Sequence, residues 1–294
     1  LSDAVRTETE VGAGKLAARS DVRPRLLYAT PTGRHPRLGY LTSIMAIRLG
    51  QKAFAHDAED FVMTSGPVQI ARCEIARQAL TGGYDYVLMH DDDLIVHHRG
   101  GAAGNPLDTF LGHMKADPKV GVVGAVYLRE APMIPTVNMW HPDGAGSEHV
   151  PGEMVSAVCG LPQTPFECGG IGTGFMLVRT QVFRDIARKT GGIDPFLFWP
   201  YRTKYGTNEV MGEDFYFCWR AQQAGWKVLA DPTLATVHEK DSGRLEFQHG
   251  PWEAAEKHTV GAPDGSQIIL VDGIQCIDVS ECRKREGAAM RKAA

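Results

Sequence analysis

Asp91-Asp92-Asp93 follows directly on the apolar run Tyr86-Val87-Leu88-Met89-His90. A buried strand that stops on carboxylates delivers negative charge to the carboxyl edge of a sheet, where open α/β proteins place their ligands. Three adjacent like charges repel, and packing alone gives no reason to keep them together. A divalent cation relieves that repulsion, because hard cations take oxygen ligands. The plain alternative is a solvated acidic turn.

Three further groups have chemical potential. Gly169-Gly170-Ile171-Gly172-Thr173-Gly174 precedes the apolar run Phe175-Met176-Leu177-Val178. Dinucleotide-binding glycines follow a strand and open a helix, whereas these enter a strand, so close approach of backbone to a ligand, or a plain connector, is the reading. Glu213-Asp214 opens a helix that ends near Gly225, where acidic residues either favour the helix dipole or do chemistry. The run Ala235-Thr236-Val237-His238 ends a short strand on a histidine, which gains meaning only where the fold brings it to the aspartates.

The elements that must position these groups alternate. Residues 26–29 read as a first strand, and residues 41–49 as a helix carrying apolar Leu41, Ile44, Met45 and Leu49. Phe61-Val62-Met63 reads as a second strand. Pro67 opens a helix whose buried face is Ala71, Ile75, Ala76 and Ala79, and the strand ending in aspartates is third. A loop over residues 99–106, a helix over 107–115 and a strand over 120–127 follow. Residues 138–157, rich in Gly and Pro, read as a long surface loop, and so does 195–212 with its Phe196, Phe198, Trp199 and Tyr201. Strand–helix alternation implies an α/β fold: a Rossmann-like, mostly parallel sheet flanked by helices in a single domain. Residues 1–23 read as a flexible arm, 24–245 as the catalytic domain and 246–294 as a C-terminal extension.

The bulk numbers bound the answer. With 294 residues, 43% hydrophobic and 22% charged, the chain suits one large core. A net charge of −4 argues against a broad nucleic-acid footprint. No apolar stretch is long enough to span a bilayer, and no signal-peptide pattern opens the chain. Six cysteines without CxxC spacing read mostly as buried thiols of a reducing, cytoplasmic setting, the host cytoplasm for a viral protein; a Cys276–Cys282 pair is the alternative.

In motif order the chain resembles the GT-A class of nucleotide-sugar glycosyltransferases, particularly family-2-like members and their phage and environmental relatives. The residues that carry the resemblance are Ala29-Thr30-Pro31-Thr32, Ala71-Arg72, Asp91-Asp92-Asp93 as the DxD motif, Gly172-Thr173-Gly174-Phe175-Met176, Gly212-Glu213-Asp214 and Val237-His238, over roughly residues 25–240. The resemblance implies transfer of a sugar from a nucleotide diphosphate, UDP favoured, to an acceptor hydroxyl. Thr30, Pro31, Thr32 and Arg72 would face the nucleotide, and Asp91 and Asp92 the ribose or sugar. Gly172, Thr173 and Gly174 would approach the donor. Asp93, His238 and Asp91 would hold Mn2+ or Mg2+, a mixed oxygen and imidazole shell that suits these ions. Asp214 would be the general base of an inverting reaction, with Glu213 as the fallback.

Lys240 and Arg244 would add positive charge over the phosphates, and Trp199 and Tyr201 would form an acceptor platform. The acceptor classes are glycans, small molecules and hydroxymethylated DNA bases; for DNA a groove of Arg202, Lys204, Arg244 and Arg283-Lys284-Arg285 is required. The loop Gly33-Arg34-His35-Pro36-Arg37 departs from the common family pattern. A haloacid-dehalogenase-type phosphatase fits poorly, because its motif sits on the first strand. A nucleotidyltransferase would need a glycine-rich loop there. A non-catalytic nucleotide-sugar or glycan-binding module of the same fold is the alternative from another class.

Overall fold

The computed structural model describes residues 24–32, 37–52, 54, 59–64, 66–98, 104–127, 136–140, 154–159, 161–192, 194–196, 200–202, 208–210, 212–239, 245–248, 257–261, 267–271 and 274–278. Seven strands form the central sheet: β1 (Leu26–Pro31), β2 (Glu59–Thr64), β3 (Tyr86–His90), β5 (Val120–Ala125), β8 (Phe166–Glu167), β10 (Phe175–Arg179) and β13 (Lys227–Asp231). Their order is β2-β1-β3-β10-β5-β13-β8. β10 and β8 run against the other five strands. The sheet is therefore mostly parallel and open, an α/β, Rossmann-like arrangement.

The central strands are apolar on both faces because both faces are covered. Leu26, Tyr28 and Leu88 pack with helices α1 (Leu38–Gly50) and α3 (Pro106–Ala116), through Tyr40, Ile44, Ile47, Phe110 and Leu111. Leu27, Ala29, Val87 and Met89 point the other way, toward α2 (Val68–Gly82), α4 (Thr180–Thr190) and α5 (Glu213–Gln223). This is the period-two alternation of a strand. Pro67 caps α2 as expected, and Gly83 ends it at φ 69°, a left-handed conformation that glycine adopts without strain. Asn105 caps α3 by accepting the Leu107 amide at 2.9 Å, with Pro106 at the first position.

Three local expectations are corrected. On α1 the inward face is Tyr40, Ser43, Ile44 and Ile47, whereas Leu41, Met45 and Leu49 are exposed. Apolar residues surround this helix, so spacing alone does not define its face. Within 138–157, read as a loop, stand β6 (Val137–Trp140) and the start of β7 (Met154–Cys159). Within 195–212 an antiparallel hairpin of β11 (Pro200–Arg202) and β12 (Asn208–Val210) interrupts the loop.

Two further sheets attach. β4 (Leu94–His98), β14 (Leu234–Glu239) and β15 (Leu245–Gln248) pair in the order β15-β14-β4. A six-stranded sheet has the order β16-β17-β18-β7-β6-β9, with β9 (Gly170–Ile171), β16 (Lys257–Gly261), β17 (Gln267–Val271) and β18 (Ile274–Asp278). Cys73, Cys168 and Cys218 are buried, and burial pushes the Cys218 thiol up to about 12. Among the described residues no helix is long and apolar enough to cross a membrane.

Candidate functional site

The acidic turn is held from below. His90, the last residue of β3, is fully buried and accepts the Tyr28 hydroxyl at Nδ1 over 2.7 Å. Its Nε2 lies 2.6 Å from the Leu94 carbonyl oxygen, which only accepts, so Nε2 carries the proton. Burial drives the His90 pKa down to about 4, against smaller opposing contributions from the Leu94 carbonyl and Asp91. The ring is neutral at pH 7. It packs edge-on against Tyr40 and Phe175, 4.8 and 5.0 Å between centroids. The Asp91–Asp93 turn is thus clipped at both ends by one imidazole.

The turn's first two carboxylates have internal partners. Both Asp91 oxygens accept from Arg72 Nη2, at 2.9 and 3.1 Å. The Asp92 Oδ2 accepts the Thr32 hydroxyl. Thr30 and Pro31, expected to face a nucleotide, are buried, and the Thr30 hydroxyl pairs with Tyr40. Of Thr30, Pro31 and Thr32, only Thr32 is part-exposed. Burial pushes the Tyr40 hydroxyl up to about 12, helped by Asp92 and Asp91 against the Thr30 bond.

Arg72 joins two motifs that are distant in sequence. Its Nη1 pairs with Glu213 while Nη2 pairs with Asp91, so the start of α5 and the acidic turn share one buried guanidinium. Burial disfavours the charge, but Asp91, Glu213 and Asp214 outweigh it and hold the group protonated well above its ordinary range. Its buried Nε has no hydrogen-bond partner among the described residues. Arg72, read as a nucleotide-facing residue, is thus a buried bridge between carboxylates. Asp214 lies in the same first turn of α5, capped by Gly212, and its Oδ1 accepts the Phe215 amide at 2.8 Å.

The glycine turn abuts the acidic one: the Asp91 amide donates to Gly174 O at 2.8 Å, and Phe175 pairs with His90 across β10 and β3. The Gly174 amide donates to the Tyr127 hydroxyl at 2.9 Å. A Cβ on Gly174 would meet Tyr127 Cζ and Oη at 2.8 Å, and one on Gly172 would collide with the same hydroxyl. These glycines therefore make room for a buried tyrosine, where the sequence suggested room for a ligand. Thr173 between them is buried. Burial raises the Tyr127 pKa beyond the normal phenol range, and the charges of Asp91 and Asp214 add to the shift.

His238 enters through backbone pairing. β14 runs antiparallel to β4, with His238 opposite Leu94, the residue that follows Asp93. Asp93 is half-buried in the turn itself. The side chains of His238 and Tyr201, and the whole of Trp199, Lys240 and Arg244, lie outside the described residues. So do Lys204 and residues 283–285, while Arg202 is described in backbone only, within β11.

Among the described residues no three His, Cys, Asp or Glu side chains form a metal-ligand group. Asp91, committed through both oxygens to Arg72, is a poorer donor than its motif position suggested. Asp93 offers an oxygen donor of the kind that hard divalent ions take. A cavity of about 730 Å3 lies elsewhere, between α1 and α3, and none of the turn's carboxylates lines it.

Sequence reading missed His90 and Tyr127 as organising residues. The signal was there in part: both are polar-capable rings at the ends of apolar strand runs. No protein-family model matches the chain, and no curated protein sequence does. Solved structures with some likeness include A197 from STIV (17% identity, TM-score 0.47, covering 80% of this chain and 98% of that one). Others are GalNAc-T7 with UDP, GalNAc and Mn2+ (10%, 0.45, 73% and 44%) and apo UDP-glucose pyrophosphorylase (8%, 0.35, 77% and 76%). Likeness at that level does not carry an activity across.

Proposed function

We infer that the chain is a GT-A-type glycosyltransferase that moves a sugar from a nucleotide diphosphate, UDP favoured, to an acceptor hydroxyl. The observation that carries this reading is convergence: the acidic turn, the start of α5 and the His238 position of β14 meet at the carboxyl end of β3. A divalent cation at Asp93 and His238, Mn2+ or Mg2+, would supply charge neutralisation for the departing diphosphate. Thr32 and Asp92 would face the nucleotide half, with Lys240 and Arg244 as further donor contacts.

Asp214 is the base in this reading. Glu213 is committed to Arg72, whereas Asp214 is oriented by the Phe215 amide. Asp214 accepts the acceptor's hydroxyl proton as that oxygen bonds to the anomeric carbon. The bond from that carbon to the diphosphate oxygen breaks, and the diphosphate leaves with the electron pair. Attack from the opposite face inverts the anomeric centre. Trp199 and Tyr201 would form the acceptor platform, for a glycan, a small molecule or a hydroxymethylated DNA base.

Titration calorimetry with UDP-sugars and Mn2+, alongside a transfer assay, tests the assignment. Asp93→Ala is expected to abolish metal-dependent donor binding. Asp214→Ala is expected to keep donor binding and lose about 10²- to 10⁴-fold in transfer. Equal loss of both properties in the two variants would sink the division of labour. The internal pairing of Asp91 and Asp92 favours a second reading, a non-catalytic nucleotide-sugar or glycan-binding module. Metal-dependent hydrolysis of a UDP-sugar without acceptor separates the two.

A further inference from the structure

Tyr127, just beyond β5, reaches the acidic turn through one glycine. Its main chain is anchored to Thr136, whose amide and hydroxyl both donate to the Tyr127 carbonyl oxygen, at 2.7 and 2.9 Å. The Thr136 carbonyl in turn accepts the Gly172 amide at 2.9 Å, so the tyrosine and the glycine turn share one support. The ring is buried, and its hydroxyl accepts the Gly174 amide at 2.9 Å. The carbonyl of that same glycine accepts the Asp91 amide at 2.8 Å. Gly174 is thus held at its amide by a phenol oxygen, and with its carbonyl it holds the first residue of the acidic turn.

Shape and chemistry both single out the phenol. A Cβ on Gly172 would meet its oxygen first, and one on Gly174 would meet Cζ and the oxygen at 2.8 Å. Two positions forgo a side chain to admit the end of this ring. A phenylalanine would leave the buried Gly174 amide without that acceptor, and buried amides are nearly always paired. The far end of the turn has its own brace, the His90 imidazole at the Leu94 carbonyl. Whatever sets Gly174 therefore sets the near end.

We propose that Tyr127 is a positioning residue, whose hydroxyl fixes through Gly174 where the Asp91–Asp93 carboxylates stand at the sheet edge. A ring that only filled space would tolerate the loss of its oxygen, because phenylalanine keeps the packing. Its consequence for donor binding rests on the glycosyltransferase reading, whereas its consequence for the turn does not.

The test is amide hydrogen exchange of the full chain, followed residue by residue by NMR, in the wild type, Tyr127→Phe and Ile186→Val. Ile186 is buried in the core on the other face of the sheet and controls for stability lost elsewhere. Exchange at the Asp91 amide should rise about tenfold or more in Tyr127→Phe, beyond any rise shared with the Tyr28 amide of β1. In Ile186→Val the two amides should move together. Should Tyr127→Phe not fold, Gly172→Ala crowds the same hydroxyl while keeping it, and the same rise at Asp91 is expected. In the transfer assay Tyr127→Phe should raise KM for the UDP-sugar about tenfold with kcat nearly unchanged, as lost binding does. The proposal is overturned by exchange at Asp91 that matches the wild type or only follows Tyr28, or by an unmoved KM in an active enzyme. A wild type that transfers no sugar would count against the glycosyltransferase reading alone, and exchange at Asp91 would still decide the role of Tyr127.

Discussion

His90 and Leu94 are joined across the acidic turn: the imidazole Nε2–H donates to the Leu94 carbonyl at 2.6 Å, with all three aspartates between them. The other ring nitrogen accepts from Tyr28 on β1. One neutral side chain therefore ties the central sheet to the first residue of β4. Replacing it with Leu strands a buried hydroxyl and a buried carbonyl, each of which costs about 1–3 kcal/mol when left unpaired. Urea unfolding should show His90→Leu losing about 2–4 kcal/mol and Tyr28→Phe about 1 kcal/mol. The reverse order would mean that the clip does not hold the turn.

Arg72 is the second tie, and its planar fork matters. A lysine there has one ammonium to share between Asp91 and Glu213, and it cannot span both. Arg72→Lys is expected to destabilise the chain by about 1–3 kcal/mol, since it leaves a part-buried carboxylate without its partner. In a double-mutant cycle of Arg72→Met with Glu213→Gln, the coupling should be about 1–3 kcal/mol. Strict additivity would show that the two side chains act separately.

The glycine turn makes a prediction that pairs two sites. Gly172→Ala should cost about 1–3 kcal/mol, because the new methyl group meets the Tyr127 hydroxyl. Tyr127→Phe removes that oxygen, together with the acceptor for the Gly174 amide. The double variant should then be less destabilised than the two single changes summed. Thermal unfolding of all four proteins measures this.

Asp231 predicts the acid side of the stability curve. It is fully buried, and although burial opposes its charge, hydrogen bonds from His113 at 2.9 Å and from Thr233 hold its pKa below the ordinary 3.8. The unfolded chain binds the proton first, so the stabilisation is complete above about 4 and is lost as pH falls through the lower folded value. Asp231→Asn should be less stable than the parent at pH 7, and the gap should narrow below pH 4. A gap that stays constant down to strongly acid pH would remove Asp231 from this role.

How far the sequence could be read depended on whether a feature was local. The runs 26–29, 86–89 and 120–125 are apolar throughout, and that pattern belongs to strands covered on both faces, so the α/β class was visible. Asp91-Asp92-Asp93 stood out because repulsion between neighbours needs a reason. The pairing of His238 with Leu94 was not legible, because only the resemblance linked that histidine to the acidic turn. What stayed hidden was set by distant partners: Glu213 and Arg72 meet across 141 positions. Tyr127 fills the space above Gly172 and Gly174, and nothing near those glycines says so. Gly- and Pro-rich composition concealed β6 and β7. β10 returns antiparallel between β3 and β5, which needs no crossover helix and so leaves no helical signature.

β18 lies beside β7 in parallel register, Cys276 opposite Ser156 and Ile277 opposite Ala157. The last strands of the chain are therefore the neighbour that closes one side of β7. A protein shortened before residue 257 would present that side as a bare row of amides and carbonyls, an invitation to pair with strands of other molecules. Precipitation on truncation would then report an uncovered sheet margin, with the site at the far end of the sequence still intact.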